Sequence, residues 1–456
     1  MDEKGETMKK RILPLLLTLS LLMALPAHAA KTEASPRIAV IDTGVSSSAL
    51  LEAERVEQGN NYILPGQSTE DTVGHGTAVA SIILGSQRAG MTGLCPTATI
   101  VPMVYYTQQG TSVLKGDMAM LAQCIVDAVD VYDCDIINIS SGALNPTAAL
   151  KDAVAYAAAK GVLVVSCSGN DGNSTVYYPG GTDSVLCVGA LNAQRTGAAD
   201  FSNRHAGVDI LAPGTKLIAR SMKGTPLLKN GTSFATAYAS GAAAALMAEF
   251  PALTGFQAGQ ILQATAADLG LTGRDNATGW GALDLDAARA YAAAGRLFRD
   301  VRPGSWYETF VNKAAGEGWL SPVSGGTFAP DEAAARSTMW EGFCRASGET
   351  TQDVRGWAMK NGVSDGNYGD LFVTRAQMAT MFYAYAKLTG RDITPRADLS
   401  RYTDAAQIPD YAVEAMRWAV AAGLISGTGA NTISPNGTAT RAQVATLLVR
   451  FCEGAA

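Results

Sequence analysis

Three glycine-flanked segments constrain this chain more than anything else in it: IAVIDTGV at Ile38–Val45, GHGTAVAS at Gly74–Ser81 and NGTSFATA at Asn230–Ala237. They contribute an Asp, a His and a Ser, in that order. Asp42 and His75 are 33 residues apart, and His75 and Ser233 are 158 apart. Only a fold that gathers distant segments at one edge lets the three act together. The flanking pattern describes such a fold. Arg37–Ile41 reads as a buried strand with Asp42 at its carboxyl end. Gly74–Leu84 reads as a loop entering an apolar helix with His75 at its start, and Ser233–Phe250 as an Ala-rich helix led by Ser233. Between them, strand-like Leu94–Val104, Asp135–Ser140, Val162–Ser166 and Ser184–Ala190 alternate with helical Asp117–Tyr132 and Pro146–Lys160. That alternation predicts a parallel sheet covered by helices on both faces, with active groups at the carboxyl ends of its strands.

An Asp, a His and a Ser are the inventory for serine acyl transfer: a nucleophile, its base and the group that orients the base. A serine needs the base because its free hydroxyl is a poor nucleophile at neutral pH. In order and spacing the segments resemble the subtilisin-like serine proteases (subtilases), over Pro36 to Arg296. The resemblance implies a subtilisin-like three-layer α/β fold with a parallel sheet. It also implies that Ser233 attacks the scissile carbonyl, that His75 is the general base and that Asp42 orients it. By the same resemblance the Asn170 side chain and the Ser233 backbone N–H form the oxyanion hole. A peptide or protein substrate would lie as an added strand between Gly110–Ser112 and Ser140–Gly142, with Ser166–Gly169 at the base of the main side-chain pocket. Gly142 and Gly169 are then expected to leave room for a large apolar side chain. Tyr178-Pro179 resembles the family's turn in which a cis bond is expected.

The implied reaction is endopeptidase hydrolysis through an acyl-enzyme, with no cofactor needed for the chemistry. Two other readings stay open at this stage: a subtilase fold kept as an inactive surface-binding scaffold, and acyl transfer to an amine in place of water. The family's HGTH reads HGTA here, with Ala78, and its Pro-His after the serine segment reads Ala237-Tyr238. Leu84–Gly93 lacks the Asn-containing loop that holds calcium in the bacterial enzymes, so a structural calcium there is unsupported. His205, in the polar run FSNRHAGVD, reads as an exposed loop residue.

Lys9, Lys10 and Arg11, the apolar run Leu13–Leu25 and Ala27-His28-Ala29 have the form of a cleaved signal peptide, residues 1–29. The expectation is a secreted chain with no transmembrane segment. Few residues separate this segment from the first catalytic strand, so the family's folding-assisting propeptide is not expected between them. With 47% hydrophobic and 17% charged residues and a net charge of −6, the chain is core-forming and offers no basic surface for nucleic acid. Seven cysteines without paired metal spacing read mainly as buried small hydrophobes, with at least one unpaired thiol.

After Arg296 the pattern becomes repetitive. Gly318, Gly362 and Gly423 precede Arg336, Arg375 and Arg441 by 18, 13 and 18 residues. This predicts three all-α helix–loop–helix units spanning about 297–345, 346–390 and 399–454. Through FRDV…GSWY at Phe298–Tyr307 and the two TRAQ elements, they resemble S-layer homology (SLH) repeats. The resemblance implies binding of an anionic cell-wall polysaccharide, and hence a bacterial cell-surface location. Arg375, Arg441, Trp357 and Trp418 are the candidate contacts, because an Arg suits acidic sugar substituents.

Overall fold

The computed structural model describes residues 35–46, 53–86, 90–323, 326–429 and 431–454. The expected signal segment lies outside them. The sheet is built from β1 (Arg37–Asp42), β2 (Asn60–Asn61), β3 (Thr99–Val104), β4 (Ile136–Ile139), β5 (Leu163–Cys167), β6 (Val185–Leu191) and β7 (Ile210–Pro213). The spatial order is β7-β6-β5-β4-β1-β3-β2, with every pairing parallel. Because successive strand side chains point to opposite faces, each inner strand feeds two cores. Ile38, Val40, Ile100, Ile136 and Val165 join one; Ala39, Ile41, Val101, Ile137 and Val164 join the other.

Helices α1 (His75–Leu84), α2 (Met118–Asp130), α3 (Ala148–Ala159), α4 (Thr232–Glu249) and α5 (Gly255–Ala264) cover the two faces. α1, α4 and α5 pack on the first core, and α2 and α3 on the second. α2 and α3 begin one or two residues later than their patterns suggest, because Asp117 and Thr147 are caps whose side chains accept from Met120 N and Leu150 N. α4 is buried almost all round. Its small residues let it approach closely: a Cβ at Gly241 would lie 2.8 Å from Leu94 Cβ.

The C-terminal part adds α6 (Leu285–Ala293), then α7 (Glu308–Gly316), α8 (Arg336–Ala346), α9 (Val354–Lys360), α10 (Arg375–Leu388), α11 (Val413–Ala421) and α12 (Arg441–Cys452). The last six form three short–long pairs. Each short helix packs on the long helix of another repeat: α9 on α8, α11 on α10, and α7 on α12, which closes a ring. Phe343, Phe382, Tyr385 and Phe451, drawn from all three long helices, meet at ring distances of 4.5–5.6 Å. Each TRAQ is a capping box. Thr374 with Gln377, and Thr440 with Gln443, satisfy each other's helix-start donors. Ala335 offers no such cap.

The two parts share one core. Gly326 N donates to Gln260 Oε1 on α5 at 3.2 Å, and the Arg299 guanidinium lies 3.7 Å from the Trp280 ring centroid. All seven cysteines are unpaired, and all but Cys452 are buried. No helix among the described residues is long and apolar enough to cross a membrane.

Candidate active site

β1 delivers Asp42 at its carboxyl end with no solvent exposure, and α1 begins at His75. Nδ1 of His75 lies 2.8 and 2.9 Å from the two carboxylate oxygens of Asp42. The Asp42 oxygen also accepts the Thr43 N–H at 2.8 Å. A carboxylate can only accept, so Nδ1 carries the proton and Nε2 keeps its lone pair. The glycine after His75 is required by space: a Cβ on Gly76 would sit 2.2 Å from the Gly44 carbonyl oxygen. Asp71 sets the approach to the helix, accepting from the N–H groups of Val73, Gly74 and Thr77 at 2.9, 2.7 and 2.9 Å.

Ser233 sits in the first turn of α4, where helix N–H groups have no intrahelical partner. Its Oγ donates to the Ser140 carbonyl at 3.3 Å, and Ser140 Oγ returns a bond to the Ser233 carbonyl at 3.2 Å. Asn138 and Ser240 extend this buried network, with Ser240 Oγ on Asn138 Oδ1 and Asn138 Nδ2 on Ser140 Oγ. Phe234, the next residue, lies tilted against His75 at 5.5 Å between centroids, and Tyr106 flanks the ring at 6.2 Å. The nucleophile candidate and the imidazole are thus brought to one place by α4 and α1. Asn170, exposed just beyond β5, has its side-chain oxygen fixed by Thr232 N and Oγ1 at 2.9 and 3.0 Å. Its amide hydrogens have no protein acceptor among the described residues.

Burial pulls the His75 imidazolium down. The charge and hydrogen bond of Asp42, helped by Asp71, outweigh it, so the pKa ends above its ordinary 6.5. The arrangement can take a proton from a hydroxyl, hold the resulting cation against a buried carboxylate, and offer N–H donors to a developing oxyanion.

The cleft elements sit close to these groups. Gly110, with φ +62°, and Ser112 form the exposed tip of a hairpin between Tyr106–Gln109 and Ser112–Lys115. Lys115 Nζ donates to the Gly142 carbonyl at 3.0 Å, tying that hairpin to the opposite wall. Tyr178-Pro179 is cis, as expected. The room expected beside Gly142 and Gly169 is not empty. A Cβ at Gly142 would meet Tyr177 Cβ at 2.9 Å, and one at Gly169 would meet Tyr177 Cδ2 at 2.7 Å. Tyr177 therefore borders both glycines, in place of the open space expected beside them.

Two further expectations are corrected. Arg375 and Arg441 do not face outward. Arg375 bonds the carbonyls of Ile433 and Ser426 at 3.0 and 2.6 Å, and Arg441 those of Phe328 and Ser321 at 2.8 and 2.7 Å. Each clamps the loop of another repeat. Trp357 and Trp418 are core residues, 9% and 2% exposed, with Trp418 Nε1 on the Asp392 carbonyl. His205 is buried, its Nδ1 accepting from Gly207 N at 3.1 Å, and burial keeps its pKa below the usual value.

Sequence reasoning missed Asp71, Tyr106, Lys115 and Tyr177. Only Asp71 carried a signal, as an acidic residue placed shortly before a helix start.

The profile of the subtilase family matches residues 34–281, and that of the S-layer homology domain matches 297–339 and 401–445. Subtilisin BL of Lederbergia lenta is 34% identical over 259 residues, 56% of this chain and 91% of that protein. The cell wall-associated protease of Bacillus subtilis (strain 168) is 37% identical over 236 residues, 51% of this chain and 26% of its own. Among solved structures, fervidolysin from Fervidobacterium pennivorans, a keratinolytic enzyme related to subtilisin, matches with a TM-score of 0.51 at 28% identity. That match covers 56% of this chain and 42% of the other.

Proposed function

The chain belongs to the subtilase family, as a protease joined to S-layer homology domains, and from that premise we propose a secreted serine endopeptidase held at the bacterial cell wall, with Asp42, His75 and Ser233 as its triad. The observation that carries the triad is the His75 Nδ1 contact to both Asp42 oxygens, with the Ser233 helix starting against the same ring. Ser233 Oγ rotates from the Ser140 carbonyl toward Nε2, gives up its proton there and attacks the scissile carbonyl carbon. The Ser233 N–H and the Asn170 amide receive the oxyanion. The C–N bond breaks as Nε2 returns the proton to the leaving amine, and water then hydrolyses the acyl-enzyme by the same steps. This chemistry draws only on the chain's own groups.

The S-layer homology domains support anchoring at the cell surface. Wall polysaccharide then docks where the helix ring leaves polar groups open, not on the clamping arginines. A cavity of about 360 Å³ between repeats is lined by Arg336, Asp365, Gln377 and Tyr411; Arg336 Nη2 donates to Asp365 Oδ1 at 2.9 Å, and its Nε has no hydrogen-bond partner among the described residues. Two assays test the reading. Casein hydrolysis by the purified protein should vanish in Ser233→Ala, and the same inactive variant should still sediment with purified cell walls. Unchanged hydrolysis by Ser233→Ala overturns the triad, and failure to sediment overturns the wall anchor.

A further inference from the structure

We propose that Tyr177 sets the primary specificity of this protease. It fills the pocket for the side chain whose carbonyl is cleaved, so that Gly, Ala or Ser is accepted there and aromatic or long aliphatic residues are rejected. The proposal rests on the endopeptidase reading above.

The two glycines that frame the pocket both face Tyr177. Its Cβ lies 2.9 Å, and its Cγ 3.7 Å, from where a Gly142 side chain would begin; its ring edge lies 2.7 Å from the corresponding point at Gly169. The bare Gly142 therefore makes room for the tyrosine, and the bare Gly169 for both the tyrosine ring edge and the Asn203 amide, whose Nδ2 lies 2.3 Å from the same point, leaving no room for a substrate ring of similar size. The Asp171 carboxylate beside the phenol raises its pKa, while the hydroxyl itself stays open to solvent. Asp171 is fixed in turn by Asn203. The Asp171 N–H donates to Asn203 Oδ1 at 2.7 Å, while Asn203 Nδ2 bonds Asp171 Oδ2 at 3.3 Å and the Thr175 carbonyl at 2.9 Å. The Cβ end of the side chain thus sits against Gly142, and its ring edge lies along Gly169 beside the Asn203 amide. Lys115, bonded to the Gly142 carbonyl, keeps that wall from moving outward.

The test compares kcat/KM for succinyl-Ala-Ala-Pro-Ala and succinyl-Ala-Ala-Pro-Phe p-nitroanilides. Wild type should favour Ala by at least about tenfold, within the range that pocket fit alone supplies. Tyr177→Ala should lower that ratio by about tenfold or more, mainly through faster Phe cleavage, and Tyr177→Phe should keep it. A wild type that cleaves Phe as fast as Ala overturns the proposal, as does an unchanged ratio in Tyr177→Ala. Labelling of Ser233 by a small fluorophosphonate separates the two levels. A protein that labels but shows no Ala preference loses only the proposal. One that does not label loses the endopeptidase reading as well.

Discussion

The side-chain oxygen of Asn170 accepts both the backbone N–H and the hydroxyl of Thr232, the residue before Ser233, at 2.9 and 3.0 Å. The carboxamide oxygen is thereby fixed, and in the proposed mechanism its N–H groups are left for the oxyanion. Preorganisation of this kind costs nothing at the moment of reaction.

Asn170→Ala should lower kcat by about 10²–10³-fold with little change in KM. Thr232→Val, which removes only the hydroxyl anchor, should lower kcat by about five- to tenfold, the value of one neutral hydrogen bond. Steady-state kinetics on one peptide substrate measure both. A larger loss in Thr232→Val than in Asn170→Ala contradicts the assignment.

His75 must be neutral to act as a base, and the Asp42 charge raises its pKa above 6.5. The acid limb of kcat/KM should therefore have its midpoint above pH 6.5, with activity lost as pH falls through it. Asp42→Asn removes the charge and leaves burial, so the limb should move to lower pH while kcat drops about 10⁴-fold. A limb that stays in place in Asp42→Asn means another group titrates.

Burial raises the Asp209 carboxyl from 3.8 to about 6, against the Cys187 N–H and the Arg274 guanidinium that favour its ionised form. The unfolded chain ionises first. The stabilisation is therefore fully present below pH 3.8 and is lost as pH rises through about 6. The melting temperature of wild type relative to Asp209→Asn should fall between those limits. A difference that does not change with pH contradicts the shift.

Arg441 holds two carbonyls of another repeat. Bonds from a charged donor are worth about 1.5–3 kcal/mol each, so Arg441→Ala should destabilise the helix ring by about 3 kcal/mol. A Lys, lacking the planar fork, should not restore it. Thermal melts of a catalytically silent Ser233→Ala background measure the loss without self-digestion. A melt unchanged by Arg441→Ala removes the clamp.

The placement of Asp42, His75 and Ser233 on the fold was legible because each sits where a short-range pattern changes. Asp42 ends a β-branched run, and His75 and Ser233 open apolar helices beside glycines that close packing demands. The three helix pairs were legible from the Gly-to-Arg spacing. What those arginines do was not, because their partners are backbone carbonyls in other repeats and carry no sequence signature. His205 was misread for a related reason: a polar run says nothing about the loop that folds over it. Tyr177 stood beside a recognised turn, but only the fold shows that it lies against both Gly142 and Gly169.

Fluorophosphonate labelling of the purified protein, with the adduct mapped by mass spectrometry, tests the central claim most directly. The account predicts one adduct, on Ser233, abolished in Ser233→Ala and reduced to background in His75→Ala. A protein that melts cooperatively yet carries no adduct, or carries one on another residue, contradicts it.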